Sequence, residues 1–156
     1  MVPPVDDEDV LFDPSLLQNA TAALDHRGVP DDAGTYAAAL ASILGRIPER
    51  WGRWIDHGPG WYALVVSVDE RLAAIDPNYV IHQVKEKYGT LRYYCSPAGD
   101  ESATQQQATF DSILAEAESA SATTCERCGR PGVLRHSANL VKTLCSSCAD
   151  ALGYAG

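Results

Sequence analysis

The chain has 156 residues, is 46% hydrophobic, and carries 21 acidic against 12 basic side chains for a formal charge of −9. That length suits one domain with a modest core rather than two ordinary ones. The apolar fraction excludes a chain disordered throughout, and the charge excludes a uniformly basic nucleic-acid binder.

No apolar run approaches the ~20 residues of a membrane helix. The first residues, with Asp6, Asp7, Glu8 and Asp9, lack the basic and then apolar character of a secretion signal. The expected location is therefore the cytoplasm, where thiols stay reduced.

In chain order, residues 1–12 read as a disordered acidic tail. Residues 13–50 read as an N-terminal helical hairpin. Asp13 caps the first helix, Pro14 suits its first position, Leu16, Leu17, Ala20 and Leu24 form its apolar stripe, and Gly28 ends it. The second helix runs from about Asp31 to Leu44 with Tyr36, Leu40, Ile43 and Leu44 inward. Residues 1–32 hold 8 acids and one base, whereas residues 33–100 hold 7 of each, so most of the negative charge is local. It reads as a solvated segment or, more sharply, as a lure for a basic partner.

Residues 51–122 are expected to form an α+β core. An irregular connector, RIPERWGRWIDHGPG, leads to a helix opening at Gly60 or Trp61, where Trp61, Leu64, Val65, Val68, Leu72 and Ile75 share one face. Trp51, Trp54 and Trp61 are expected to close the core where helices meet strands, although the interleaved Arg50, Trp51, Arg53 and Trp54 can also stack bases.

The period then changes to that of strands. YVIHQVKEKY and LRYYC form a β-hairpin about a Gly89-Thr90 turn, with Glu86 opposite Tyr93, Val84 opposite Cys95, and Lys87 opposite Arg92. Lys85, Lys87, Arg92 and Tyr94 then share an exposed face, a candidate contact for phosphates or an acidic partner. Glu86 faces inward and needs a partner, with Arg71 or His82 in reach. His57, His82 and Glu86 are the candidate acid–base set. A fourth helix spans roughly 102–120 with Phe110, Ile113, Leu114 and Ala117 inward.

Residues 123–156 carry the strongest signal. Cys125-Glu-Arg-Cys128-Gly129 and Cys145-Ser-Ser-Cys148 are paired C-x-x-C units with sixteen residues between them, the spacing of a four-cysteine zinc site. Four thiolates close the shell, leaving no open position for substrate, so one structural zinc per chain is expected. Val133-Leu134-Arg135 and Leu140-Val141-Lys142 form a short hairpin between the knuckles, giving a zinc ribbon. Cys95 is left as a buried free thiol.

The last third resembles the HNH endonucleases in its paired C-x-x-C units and in Asn139-Leu140 ahead of Cys145. It departs from them at Ala149, where a histidine belongs, and in having only His136 between the pairs.

A broader resemblance covers about residues 58–148. Gly58-Pro-Gly-Trp61, Val84-Lys-Glu-Lys-Tyr-Gly-Thr-Leu-Arg-Tyr-Tyr94, Ala117-Glu-Ser119, Cys125-Glu-Arg-Cys128-Gly129 and Thr143-Leu-Cys145 occur in that order. The chain is thus similar to a family of small uncharacterised bacterial and bacteriophage proteins, which implies a phage or prophage origin.

The expectation is an α+β protein: a small helical domain with an antiparallel β-hairpin and a C-terminal four-cysteine zinc ribbon. Its expected role is a non-enzymatic protein-binding or host-factor-modulating module in the bacterial cytoplasm, without membrane contact. A nucleic-acid-binding zinc ribbon is the alternative, and an enzyme near His57, His82 and Glu86 the second.

Overall fold

The computed structural model describes residues 28–98 and 103–155. The expected acidic tail and the helix from Asp13 lie outside the described residues.

Helix α1, Ala37–Gly45, buries Leu40, Ile43 and Leu44, whose spacings of three and four place them on one face. It starts later than expected, because Pro30 accepts from Ala33 N–H in a turn and Gly34–Tyr36 forms a single 3-10 turn. Tyr36 is consequently out of the buried stripe and rests edge-on against the Tyr62 ring.

Helix α2, Tyr62–Ile75, buries Tyr62, Val65, Val68 and Leu72. It stops where Asp76 turns extended, and Asn78 N–H then bonds the Asp76 carboxylate. Helix α3, Ala103–Ser121, presents Phe110, Ile113 and Ala117 to the same core.

The connector is more ordered than its composition implies. It contains 3-10 turns at Glu49–Trp51 and Pro59–Trp61, and between them strand β1, Ile55–Asp56. Strand β1 pairs in parallel with β2, Val80–Lys87, which pairs antiparallel with β3, Thr90–Ser96. The sheet order is β1-β2-β3.

The hairpin corrects the expected register. Tyr88 and Gly89 form the turn, both at positive φ (56° and 86°), so Lys87 faces Thr90, Glu86 faces Leu91, Lys85 faces Arg92 and Val84 faces Tyr93. The strand faces survive this slip because each residue keeps its parity. His82 is an extra residue in β2, a bulge between the Ile81–Cys95 and Gln83–Tyr94 pairs. It lets Ile81 and Val84, three residues apart, both point inward, where both are fully buried.

The inner face of the sheet packs on α2 and α3 around Trp61, Leu72, Ile81, Val84, Leu91 and Phe110. A polar network crosses this core. Arg46 donates to Asp69 at 3.0 Å and to the Pro77 carbonyl, and its guanidinium lies 4.3 Å from the centre of the Tyr79 ring. The Tyr79 and Tyr93 hydroxyls meet at 2.7 Å. Burial pushes the Tyr93 phenol well above its ordinary range.

The C-terminal third is a two-stranded sheet, β4 (Val133–Ser137) and β5 (Leu140–Leu144), followed by helix α4, Ser146–Leu152. Among the described residues its own fully buried apolar cluster is Cys125, Leu144 and Ala149, with Cys145, Cys148 and Tyr154 packed against it. The protein is therefore α+β, with a helix-and-sheet core and a cysteine-centred ribbon.

Candidate metal centre and neighbouring surfaces

The two knuckles bring Cys125, Cys128, Cys145 and Cys148 together, with all four sulfurs within 4.8 Å of one another. In the first knuckle Gly129 N–H bonds the Cys125 carbonyl, and Gly129 sits at φ 84°, a conformation that suits glycine. In the second, Cys145 caps α4, and its sulfur accepts from Cys148 N–H at 3.4 Å.

That amide pulls the Cys145 thiol down to about 7. At Cys125, burial opposes ionisation, but amides from Cys145, Cys128 and Arg127 outweigh it and hold the thiol below its ordinary value. Four soft donors at this separation, two of them favoured as thiolates, fit one tetrahedral metal ion.

The ribbon is anchored to the core by hydrogen bonds to backbone carbonyls. Gly60 N–H donates to the Glu126 carbonyl at 2.7 Å, and the Trp61 indole N–H donates to the Thr124 carbonyl at 2.8 Å. On the other side Thr143 Oγ1 donates to the Gly89 carbonyl at 2.7 Å, tying β5 to the hairpin turn.

Between core and ribbon lies a cleft of about 400 Å³ whose polar lining includes His57, Glu86, Glu126 and Lys142. Glu126 is only 4% exposed. It accepts from Gly58 N–H at 2.9 Å and from Lys142 at 3.1 Å, while Lys142 stands 3.7 Å from Glu86. Burial raises the Glu126 carboxyl against the pull of Lys142.

Glu86 therefore finds Lys142 and Gly89 N–H (2.7 Å), not the expected Arg71 or His82. Arg71 pairs with Glu116, and His82 bonds Ser96. Sequence reasoning missed Glu126 and Lys142. Their only signal was a charged residue inside each half of the cysteine region, and that pattern does not specify an ion pair.

His57 hydrogen-bonds the Gly58 carbonyl through Nδ1 at 2.8 Å. A carbonyl only accepts, so the proton sits on Nδ1, and Nε2 is a buried acceptor without a protein partner among the described residues. Burial pushes the imidazole down to about 4, against smaller opposing effects of the Gly58 carbonyl and Asp56. The candidate acid–base set does not assemble: His57 and Glu86 line this cleft, but His82 lines a different one with Trp51, Gln83 and Tyr94.

On the outer face of the sheet, Lys85 stands opposite Arg92 and Tyr94 opposite Gln83. Arg92 reaches Glu118 of α3 at 3.8 Å. Lys87 lies 5.4 Å from the centre of the Tyr88 ring. Of the three tryptophans expected in the core only Trp61 is there; Trp51 is 48% and Trp54 53% exposed. Both precede β1 in the connector and lie outside the buried cluster. Cys95 packs beside the core, and burial pushes its thiol up to about 12.

No helix among the described residues is long and apolar enough to cross a membrane. No protein-family model, curated protein or solved structure matches the chain.

Proposed function

We propose that the protein is a non-enzymatic binding module of phage or prophage type, held in shape by one structural zinc ion and modulating a host macromolecule in the bacterial cytoplasm. The observation that carries this reading is the four-sulfur cluster: a shell filled by protein ligands leaves no site for substrate or water on the metal. Thiolate ligands and a borderline-soft ion favour zinc over harder cations.

Two further features support binding rather than catalysis. The candidate acid–base residues are dispersed between two clefts, and the charged groups of the one between core and ribbon are already engaged with one another.

A protein partner agrees with the acidic bulk of the chain. A nucleic acid is the second reading, favoured by Lys85, Lys87 and Arg92 beside Tyr94 on the outer sheet face.

Metal analysis of the purified protein is expected to return one zinc per chain, and Cys125→Ser to release it and unfold the C-terminal third. Full thermal stability in strong chelator, with no metal bound, would refute the zinc role. Capture from host lysate with and without nuclease tests the binding role, which fails if nothing is retained in either arm.

A further inference from the structure

The geometry points to the outer face of the three-stranded sheet as a binding site for single-stranded nucleic acid, with Trp51 and Tyr94 stacking on bases and Lys85 and Lys87 meeting phosphates. This rests on the binding-module reading in its second, nucleic-acid form and names the ligand class.

Two rows of side chains cross that face. In the first, Tyr94 stands opposite Gln83. Trp54, just ahead of β1, is half exposed with its ring over Gly52 and outside this cleft. The His82 bulge extends this row by turning its ring onto Trp51, with centroids 4.9 Å apart. Trp51, His82, Gln83 and Tyr94 together line an open cleft of about 480 Å³. The second row, two residues along the strands and so about 7 Å away, holds Lys85 opposite Arg92. Lys87 and Thr90 follow beyond it.

Two large rings, Tyr94 at 42% and Trp51 at 48% exposed, lie around one cleft in a chain that buries Trp61 completely. A flat aromatic ring offers a π-face to any unpaired base, and Gln83 adds donors and an acceptor at the level of the rings. The lysines lie one row away, within a side chain's length of a phosphate that flanks a stacked base.

A duplex hides its base faces and fits this flat surface poorly. A protein partner would call for an apolar centre depleted of charge, whereas here the cations lie within the face. Asp56 stands beside Lys85 and Glu118 engages Arg92, so net positive charge is small and stacking carries the affinity.

The test is fluorescence anisotropy of the zinc-loaded full chain with a labelled oligothymidylate, against a duplex of equal length, over a salt series. The single strand is expected to bind roughly ten-fold or more tightly than the duplex. Trp51→Ala and Tyr94→Ala are each expected to weaken it about ten-fold. With two lysine–phosphate contacts the log–log salt slope is about −1.4, and Lys85→Gln with Lys87→Gln should flatten it. Each variant is first checked for its zinc and an unchanged melting temperature.

Absent binding, equal affinity for the duplex, or alanine variants that bind as the wild type would overturn the assignment. If the oligonucleotide fails to bind but Trp51→Ala abolishes capture of a host protein, the ligand class is wrong and the binding-module reading stands. If neither ligand binds, both fall.

Discussion

Gly60 is the residue on which the ribbon is hung. A Cβ built there runs into the Cys125 carbonyl oxygen, a backbone atom that cannot swing aside, and Gly60 N–H supplies the bond to Glu126. Gly60→Ala is expected to destabilise the protein by about 2–4 kcal/mol, combining overpacking with a weakened hydrogen bond; urea denaturation measures it.

His57 makes a second residue-level prediction. Its ordinary value is 6.5 and its folded value about 4, so between these the unfolded chain binds the extra proton. The contribution is complete above pH 6.5 and is lost as pH falls towards 4. It amounts to about 3 kcal/mol at most. Thiolate protonation weakens the metal site in the same range, so the readout is the difference between wild type and His57→Gln, with the variant losing less stability on acidification.

At this scale the sequence was most legible where chemistry needs a fixed spacing. The cysteines announce themselves because two residues between sulfurs is what a knuckle requires. Glu126 and Lys142 do not, because their meeting with Glu86 exists only once the ribbon has docked.

At the scale of elements, the hairpin turn shows how tertiary contacts settle a local choice. Gly89-Thr90 and Tyr88-Gly89 are both plausible two-residue turns by composition. The second requires Tyr88 at φ 56°, which a bulky side chain resists. It prevails with Glu86 capping Gly89 N–H, Thr143 bonding the Gly89 carbonyl, and Val84 paired with Tyr93 in the core.

The Tyr88 side chain is 72% exposed, so it can be replaced at little packing cost. Tyr88→Asn creates the favoured Asn-Gly pair and is expected to add about 0.5–1 kcal/mol, read as a rise in melting temperature. Gly89→Ala should do the reverse, since its Cβ meets Leu134 in a left-handed backbone. The helices were legible because their apolar residues recur at three and four over many positions. Strand β1 was not, being two residues long and set among prolines and glycines. Nor was the bulge at His82, since an extra residue leaves no mark in a strand that keeps its β-formers.

At the scale of the molecule, the described residues form two apolar clusters of very unequal size. The larger joins α1, α2, α3 and the three-stranded sheet; the smaller has three fully buried members, one of them the ligand Cys125. The ribbon thus has little to hold it beyond the metal ion its four cysteines could bind and its seams with the core. Chelation is expected to release residues 123–155 while the helix-and-sheet core stays folded, visible in amide exchange as protection lost in β4 and β5 and kept in β2, β3 and α2. Simultaneous loss of protection in all of them would show instead that the two clusters fold as one unit.

The bond from the Trp61 indole to the Thr124 carbonyl has an optical consequence. Trp61 is wholly buried and touches the ribbon just before its first cysteine, whereas Trp51 and Trp54 are about half exposed. Fluorescence is therefore expected to have a blue component from Trp61 that reports ribbon docking and a red component from the exposed tryptophans that an occupant beside Trp51 would change. Metal loss should shift the first, and an oligonucleotide should quench the second, so one emission spectrum separates the two events without an added label.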